Sequence, residues 1–236
     1  MAKKENLDIS ALEKIINFDF KNKGLLKEAL THRSYLNENT KWELPNNERF
    51  EFLGDAVLEL SVTEQLFFEY PDYPEGKLTS IRAALVNYLM MAHVAKEINL
   101  GKFILLSRGE SQDNGRAKEV ILANALEALI GAIYLDQGKE PAFEFIKSFV
   151  MPNLEEVMAK KLYKDPKSLL QEIIQEKEKV TPNYEVVSEL GPDHNKVFKV
   201  AVFAGKNRLA EGAGPSKQEA EVEAARKALQ DMGESD

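Results

Sequence analysis

The chain has 236 residues, of which 44% are hydrophobic and 30% charged, the balance of a globular chain and not of a collagen, a disordered polyelectrolyte or a low-complexity tract. Its 31 Lys and Arg against 39 Asp and Glu leave a net charge of −8, so a polyanion must be held by locally placed cations, not by overall charge. With no cysteine it can form no disulfide, thiolate zinc site or cysteine nucleophile, and no uninterrupted apolar run reaches the roughly 18 residues that suggest a membrane span.

Met1 to Ser10 carries Lys3, Lys4, Glu5 and Asp8 and lacks the apolar core of a signal peptide, which predicts a cytoplasmic protein. From about Leu7 to Leu162 the apolar residues recur at helical spacing, with few alternating stretches, predicting an all-α domain over 1–162. Tyr163-Lys164-Asp165-Pro166 reads as a linker, in which Asp165 can cap a helix that has Pro166 at its first position. Over 167–236 the pattern predicts a helix from Ser168 to Lys177 and a strand from Asn183 to Leu190, broken by Gly191-Pro192. A second strand from Lys196 to Phe203, a hairpin turn at Ala204-Gly205-Lys206-Asn207, a third strand from Arg208 to Gly212 and a helix from Ser216 to Met232 complete it. This α-β-β-β-α order is a small α+β domain whose two helices can pack on one face of an antiparallel sheet.

Asn47-Glu48-Arg49-Phe50-Glu51-Phe52-Leu53-Gly54-Asp55 carries acids at i, i+3 and i+7. At about 100° per residue, Glu48, Glu51 and Asp55 fall within roughly 60° of one another on one helix face. The plain reading is a solvated acidic stripe, but Gly54 inside the helix costs about 1 kcal/mol relative to alanine and asks for a reason such as close helix approach. Ile121 to Leu135 is apolar nearly all round, as a core helix is, and Glu127 is its only charge, with Asn124 one turn earlier on the same face. A carboxylate buried there must be protonated, paired or metal-bound, and a hydrogen-bonded Asn/Glu pair is the alternative to a metal site. Together Glu51, Asp55, Glu127 and the Asn124 carbonyl form an all-oxygen set that suits Mg²⁺ or Mn²⁺ and hence phosphoryl chemistry.

The run Asn-Glu-Arg-Phe-Glu-Phe-Leu-Gly-Asp-Ala at 47 to 56 resembles the signature of ribonuclease III. Thr31-His32-Arg33-Ser34, Glu75-Gly76-Lys77-Leu78 and the Ile121 to Asp136 helix extend the match, and the C-terminal unit resembles a double-stranded-RNA-binding domain. The resemblance implies a homodimeric endoribonuclease with Mg²⁺ at each acidic cluster, Mn²⁺ as a substitute and no organic cofactor. It further implies cutting of both strands of duplex RNA to 5′-phosphate and 3′-hydroxyl ends with short 3′ overhangs, in the processing of ribosomal and messenger RNA precursors. On this chain Glu51 and Glu127 would be metal ligands, Asp55 would orient or activate the attacking water or join the ligand set, and Glu48 would be accessory. Asn124 stands where the family usually has an aspartate, so the site keeps a carbonyl oxygen and loses one negative charge. Two outcomes follow: an active ligand variant, or a duplex-RNA-binding protein with weakened or absent cleavage.

A-form RNA must be read through 2′-hydroxyls and phosphates, and a duplex-binding domain spans about 16 base pairs. The resemblance assigns contacts to Gln171 and Glu172 on the first helix, to the Gly191-Pro192-Asp193-His194 loop, and to Ser216 and Lys217 at the start of the last helix, where free N–H groups favour phosphate. The usual lysine run there is replaced by Lys217-Gln218-Glu219. Residues 165–236 hold 10 Lys and Arg against 14 Asp and Glu, a net of −4, so binding must rely on placed cations such as Lys196, Lys217 and Arg226 and should be salt-sensitive.

Overall fold

The computed structural model describes residues 9–112, 115–192 and 196–233. The chain divides into two compact units, Met1–Glu155 and Glu156–Asp236. The first is helical: α1 (Ile9–Ile16), α2 (Lys23–Ala29), α3 (Arg33–Glu38), α4 (Glu48–Glu69), α5 (Glu75–Val86), α6 (Tyr88–Glu97), α7 (Arg108–Gln112), α8 (Arg116–Gln137), α9 (Lys139–Phe149) and, across the division, α10 (Leu154–Ala159).

Helix α8 organises this unit. Leu126, Leu129, Ile130 and Ile133 are fully buried, and α2, α4, α6 and α9 all pack against it, which is why its sequence is apolar on nearly every face. It begins five residues before the apolar run that marks it in the sequence, because Arg116-Ala117-Lys118-Glu119 are strong helix formers facing outward. The same holds for α4, which continues well past Leu58 to Glu69.

Gly54 and Gly131 set the contact between α4 and α8. A Cβ at Gly54 would lie 1.7 Å from the Glu127 carbonyl oxygen, and one at Gly131 would lie 2.4 Å from that of Phe50. Only hydrogen at both positions lets the two backbones touch, which supplies the reason that a mid-helix glycine demands. Among the described residues no helix is long and apolar enough to cross a membrane.

The second unit comprises α11 (Pro166–Glu178), β1 (Asn183–Leu190), β2 (Val197–Ala204), β3 (Asn207–Gly214) and α12 (Lys217–Asp231). The strands form one antiparallel sheet in the order β1-β2-β3. Asp165 caps α11 by accepting a hydrogen bond from the Ser168 N–H at 2.9 Å, with Pro166 at the first helical position as its sequence predicts. The β2–β3 hairpin turns at Gly205 and Lys206, with Gly205 at φ 58°, a left-handed conformation in which glycine carries no Cβ penalty. Leu170 and Ile174 of α11, Val202 of β2 and Ala224, Ala228 and Leu229 of α12 form one buried cluster, so both helices lie on the same sheet face. The architecture is the all-α unit followed by an α-β-β-β-α unit that the residue pattern predicts.

Candidate active site and nucleic-acid interface

The glycine contact brings the two acid-bearing helices together. Glu51 and Asp55 on α4 lie one turn apart, on either side of Gly54, and Glu127 on α8 is the residue whose carbonyl Gly54 approaches. Glu127 is half-buried and Asp55 is exposed. Burial, and after it the charges of Asp55 and Glu51, push the Glu127 carboxyl up to about 8. Burial also raises Glu51, and Glu48 and Asp55 add to it, while a hydrogen bond from the Asn124 amide and the charge of Arg33 oppose the rise. On α4 Glu51 is half-buried while Glu48 and Asp55 are exposed, and on α8 Glu127 is half-buried with the charges of Asp55 and Glu51 acting on it.

A cavity of about 510 Å³ opens beside Glu48, Glu51 and Asn124, and its other wall carries His32, Arg33 and Glu110. Residues 31–34 are held there by backbone pairing. The His32 N–H donates to the Leu105 carbonyl at 3.1 Å, the Leu105 N–H to Leu30 at 2.8 Å, and the Asn47 N–H, at the start of α4, to Thr31 at 2.9 Å. Arg33 Nη1 lies 3.7 Å from Glu48 Oε1. Burial holds the His32 imidazole below its ordinary range, and its Nδ1 lies 2.8 Å from the Ser34 hydroxyl oxygen and 3.3 Å from the Ser34 N. His32, Arg33 and Glu110 were not singled out as site residues from the sequence; the Thr31-His32-Arg33-Ser34 match was the signal for the first two, and nothing marked Glu110.

Among the described residues no group of three His, Asp or Glu side chains is gathered closely enough to hold a metal ion. Burial first, and then the charges of neighbouring carboxylates, raise the Glu51 and Glu127 carboxyls. The donor set is all oxygen, half-buried and short of positive charge, a chemistry that fits a hard divalent cation.

In the second unit, Gln171 and Glu172 are exposed on α11, where Glu172 is ion-paired with Lys164. Ser216 caps α12, its hydroxyl oxygen accepting from the Glu219 N–H at 3.1 Å, and Lys217 projects from the first turn. Lys196 and Lys217 are brought together, each against the carboxylate of Glu189. His194 lies outside the described residues.

Comparison with known proteins agrees with this layout. A Ribonuclease-III-like family model matches residues 22–154, and a double-stranded RNA binding motif matches residues 166–232. The chain is 46% identical over 217 residues to Ribonuclease 3 of Borreliella burgdorferi, covering 92% of this chain and 88% of that one. It is 47% identical over 224 residues to Ribonuclease 3 of Campylobacter fetus, covering 95% and 98% respectively. The solved nuclease domain of ribonuclease III from Campylobacter jejuni, described in connection with a region involved in dimer formation, superposes with a TM-score of 0.56 at 45% identity over 62% of this chain and 98% of that one. Both units thus match the same family over nearly the whole chain, and the chain belongs to the ribonuclease III family, as a double-stranded-RNA endoribonuclease.

Proposed function

We propose that the chain is a Mg²⁺-dependent endoribonuclease that works as a cytoplasmic homodimer on ribosomal and messenger RNA precursors, leaving 5′-phosphate and 3′-hydroxyl ends with short 3′ overhangs. The observation that carries the reading is the backbone contact of α4 with α8 at Gly54 and Gly131, which sets Glu127 against the helix that bears Glu51 and Asp55, near enough that their charges act on its carboxyl. Glu51, Glu127 and the Asn124 carbonyl are the residues that would hold the ion, with Mn²⁺ as a substitute. When bound, a divalent ion supplies a hydroxide-like nucleophile and offsets charge building on the scissile phosphate. Asp55, exposed and one turn from Glu51, accepts a hydrogen bond from the attacking water and orients it. Glu48 holds Arg33 on the cavity wall, where the guanidinium faces incoming phosphate.

The test is a long uniform RNA duplex incubated with the full chain in Mg²⁺, in Mn²⁺ and in chelator, with product ends mapped. Metal-dependent cuts with short 3′ overhangs are expected; intact RNA that still shifts on a gel would make the protein a duplex binder. In the same assay Asn124→Asp restores one negative charge and is expected to lower the half-saturating Mg²⁺ concentration about 3- to 10-fold with unchanged product ends. Identical metal dependence would show that the amide does not weaken the site.

Support for the homodimer lies on α4. Phe52 is 83% exposed, and Leu60 and Phe67, exposed by 56% and 64%, fall within about 80° of it around the helix, in an arc that also holds Thr63. The helix therefore buries Phe50, Val57 and Leu58 within its own unit and leaves a second apolar face for a partner copy. Phe52→Glu is expected to shift the solution mass to that of a monomer, read by light scattering, and to lower double-strand cutting at least about tenfold, the loss typical of an anchoring aromatic. A variant that stays dimeric would move the interface elsewhere.

A further inference from the structure

Glu189, next to last in β1, pairs in register with Phe198 of β2, which pairs in turn with Gly214 of β3, three residues before Lys217 opens α12. This register collects four side chains at one end of the sheet. Lys196 Nζ lies 3.2 Å from Glu189 Oε2, and Lys217 Nζ lies 3.6 Å from Glu189 Oε1. Both ammonium groups also sit over the same aromatic ring, 5.8 and 5.7 Å from the Phe198 centroid.

A single carboxylate thus bridges two lysines, one to each oxygen, the arrangement that the two non-bridging oxygens of a phosphodiester would adopt between the same cations. The hydrogen bond from Lys196, and then the charges of both lysines, hold the Glu189 carboxyl below its ordinary range. The anion is therefore ionised wherever RNA is bound.

We propose that Glu189 is a built-in counter-anion seated in the phosphate position between Lys196 and Lys217 and displaced from them by the RNA backbone, so that it sets the affinity and salt dependence of duplex binding. The inference rests on the reading of Lys196 and Lys217 as phosphate contacts. It adds a residue whose charge opposes binding, and it gives the net −4 of residues 165–236 a specific part in the site. A lysine already neutralised by Glu189 releases fewer counterions when it meets RNA, which flattens the salt response.

The experiment measures binding of a uniform RNA duplex by fluorescence anisotropy across a salt series, with the full chain and chelator present so that the duplex stays intact. Glu189→Gln is expected to tighten binding about 3- to 10-fold near 50 mM salt and to steepen the slope of log K against log salt by roughly one unit, the signature of one more unpaired cation. The Lys196→Ala, Lys217→Ala double variant is expected to bind more weakly, and adding Glu189→Gln to it should then give no gain. Unchanged or weaker binding by Glu189→Gln overturns the proposal, as does an equal gain in the background without lysines, which would reduce the effect to net charge. If the double variant binds as the parent does, the phosphate-contact reading of the lysines fails instead, and if the parent itself does not bind duplex RNA, the functional reading fails.

Discussion

Glu127→Gln is expected to lower duplex cleavage at least about 10³-fold while leaving duplex binding unchanged, because it removes one carboxylate from the oxygen cluster of the first unit, whereas the double-stranded RNA binding motif matches the second. The same substitution has an opposite effect on stability. The Glu127 carboxyl is raised from an ordinary 4.5 to about 8 in the folded chain, so between those values the folded state holds a proton that the unfolded state has lost. Where the folded state binds more protons, stability falls as pH rises. Below about pH 4 both states are protonated and the residue carries no penalty; above about pH 8 the folded state must accommodate the charged form in full. Glutamine removes that penalty. In chelator, Glu127→Gln should therefore unfold like the parent at pH 4 and be more stable by about 1–2 kcal/mol at pH 9, a figure kept below the face value of the shift because the group is only half-buried and partly screened. Thermal or denaturant unfolding at the two pH values reads the difference. Added Mg²⁺ should raise the parent's midpoint at pH 9 and leave the variant's almost unmoved, since a ligand stabilises only the state that binds it. Equal midpoints at pH 9 would mean that Glu127 is not held against its neighbours.

The acidic face of α4 was legible because Glu48, Glu51 and Asp55 follow helical spacing, and Glu127 stood out as one charge in an apolar helix. Periodicity reads a face within one element, and it cannot pair elements. That α4 meets α8 at Glu127, with Gly131 answering Gly54, is a tertiary fact that neither helix states alone. For the same reason the apolar residues of 47–58 did not reveal which of them turn outward: Phe50 and Phe52 are chemically alike, and only packing on α8 buries one and exposes the other. His32 and Arg33 enter the cavity through backbone pairing of Thr31 with Asn47 and of His32 with Leu105, contacts between segments distant in sequence. In the second unit the alternation of β1 and β2 was plain. Glu189, however, reads as an ordinary solvated acid until the strand register sets it beside Phe198 and both lysines.

Gly54→Ala is expected to destabilise the nuclease unit by about 3 kcal/mol or more, against the usual direction of a glycine-to-alanine change inside a helix, which favours alanine by about 1 kcal/mol. The added Cβ would stand 1.7 Å from the Glu127 carbonyl oxygen, 2.6 Å from its carbon and 2.9 Å from the Gly131 nitrogen. All three are backbone atoms of a helix whose opposite faces are packed by α2, α6 and α9, so no side chain can swing aside and α4 must move as a body. That displacement parts Glu51 and Asp55 from Glu127. Since a misplacement of about 1 Å at a reacting centre can cost on the order of 10²-fold, cleavage should fall even at temperatures where the variant stays folded. Gly131→Ala meets the Phe50 carbonyl oxygen at 2.4 Å and should act in the same direction, more mildly. Gly76→Ala, on α5 with nothing within 4 Å of its Cβ, should instead stabilise slightly through helix propensity alone. Denaturant midpoints and cleavage rates of the three variants separate the two causes: if Gly54→Ala behaved like Gly76→Ala, the glycine would be incidental, whereas loss of activity ahead of loss of fold would identify the Gly54–Gly131 contact as what sets the spacing of the carboxylates.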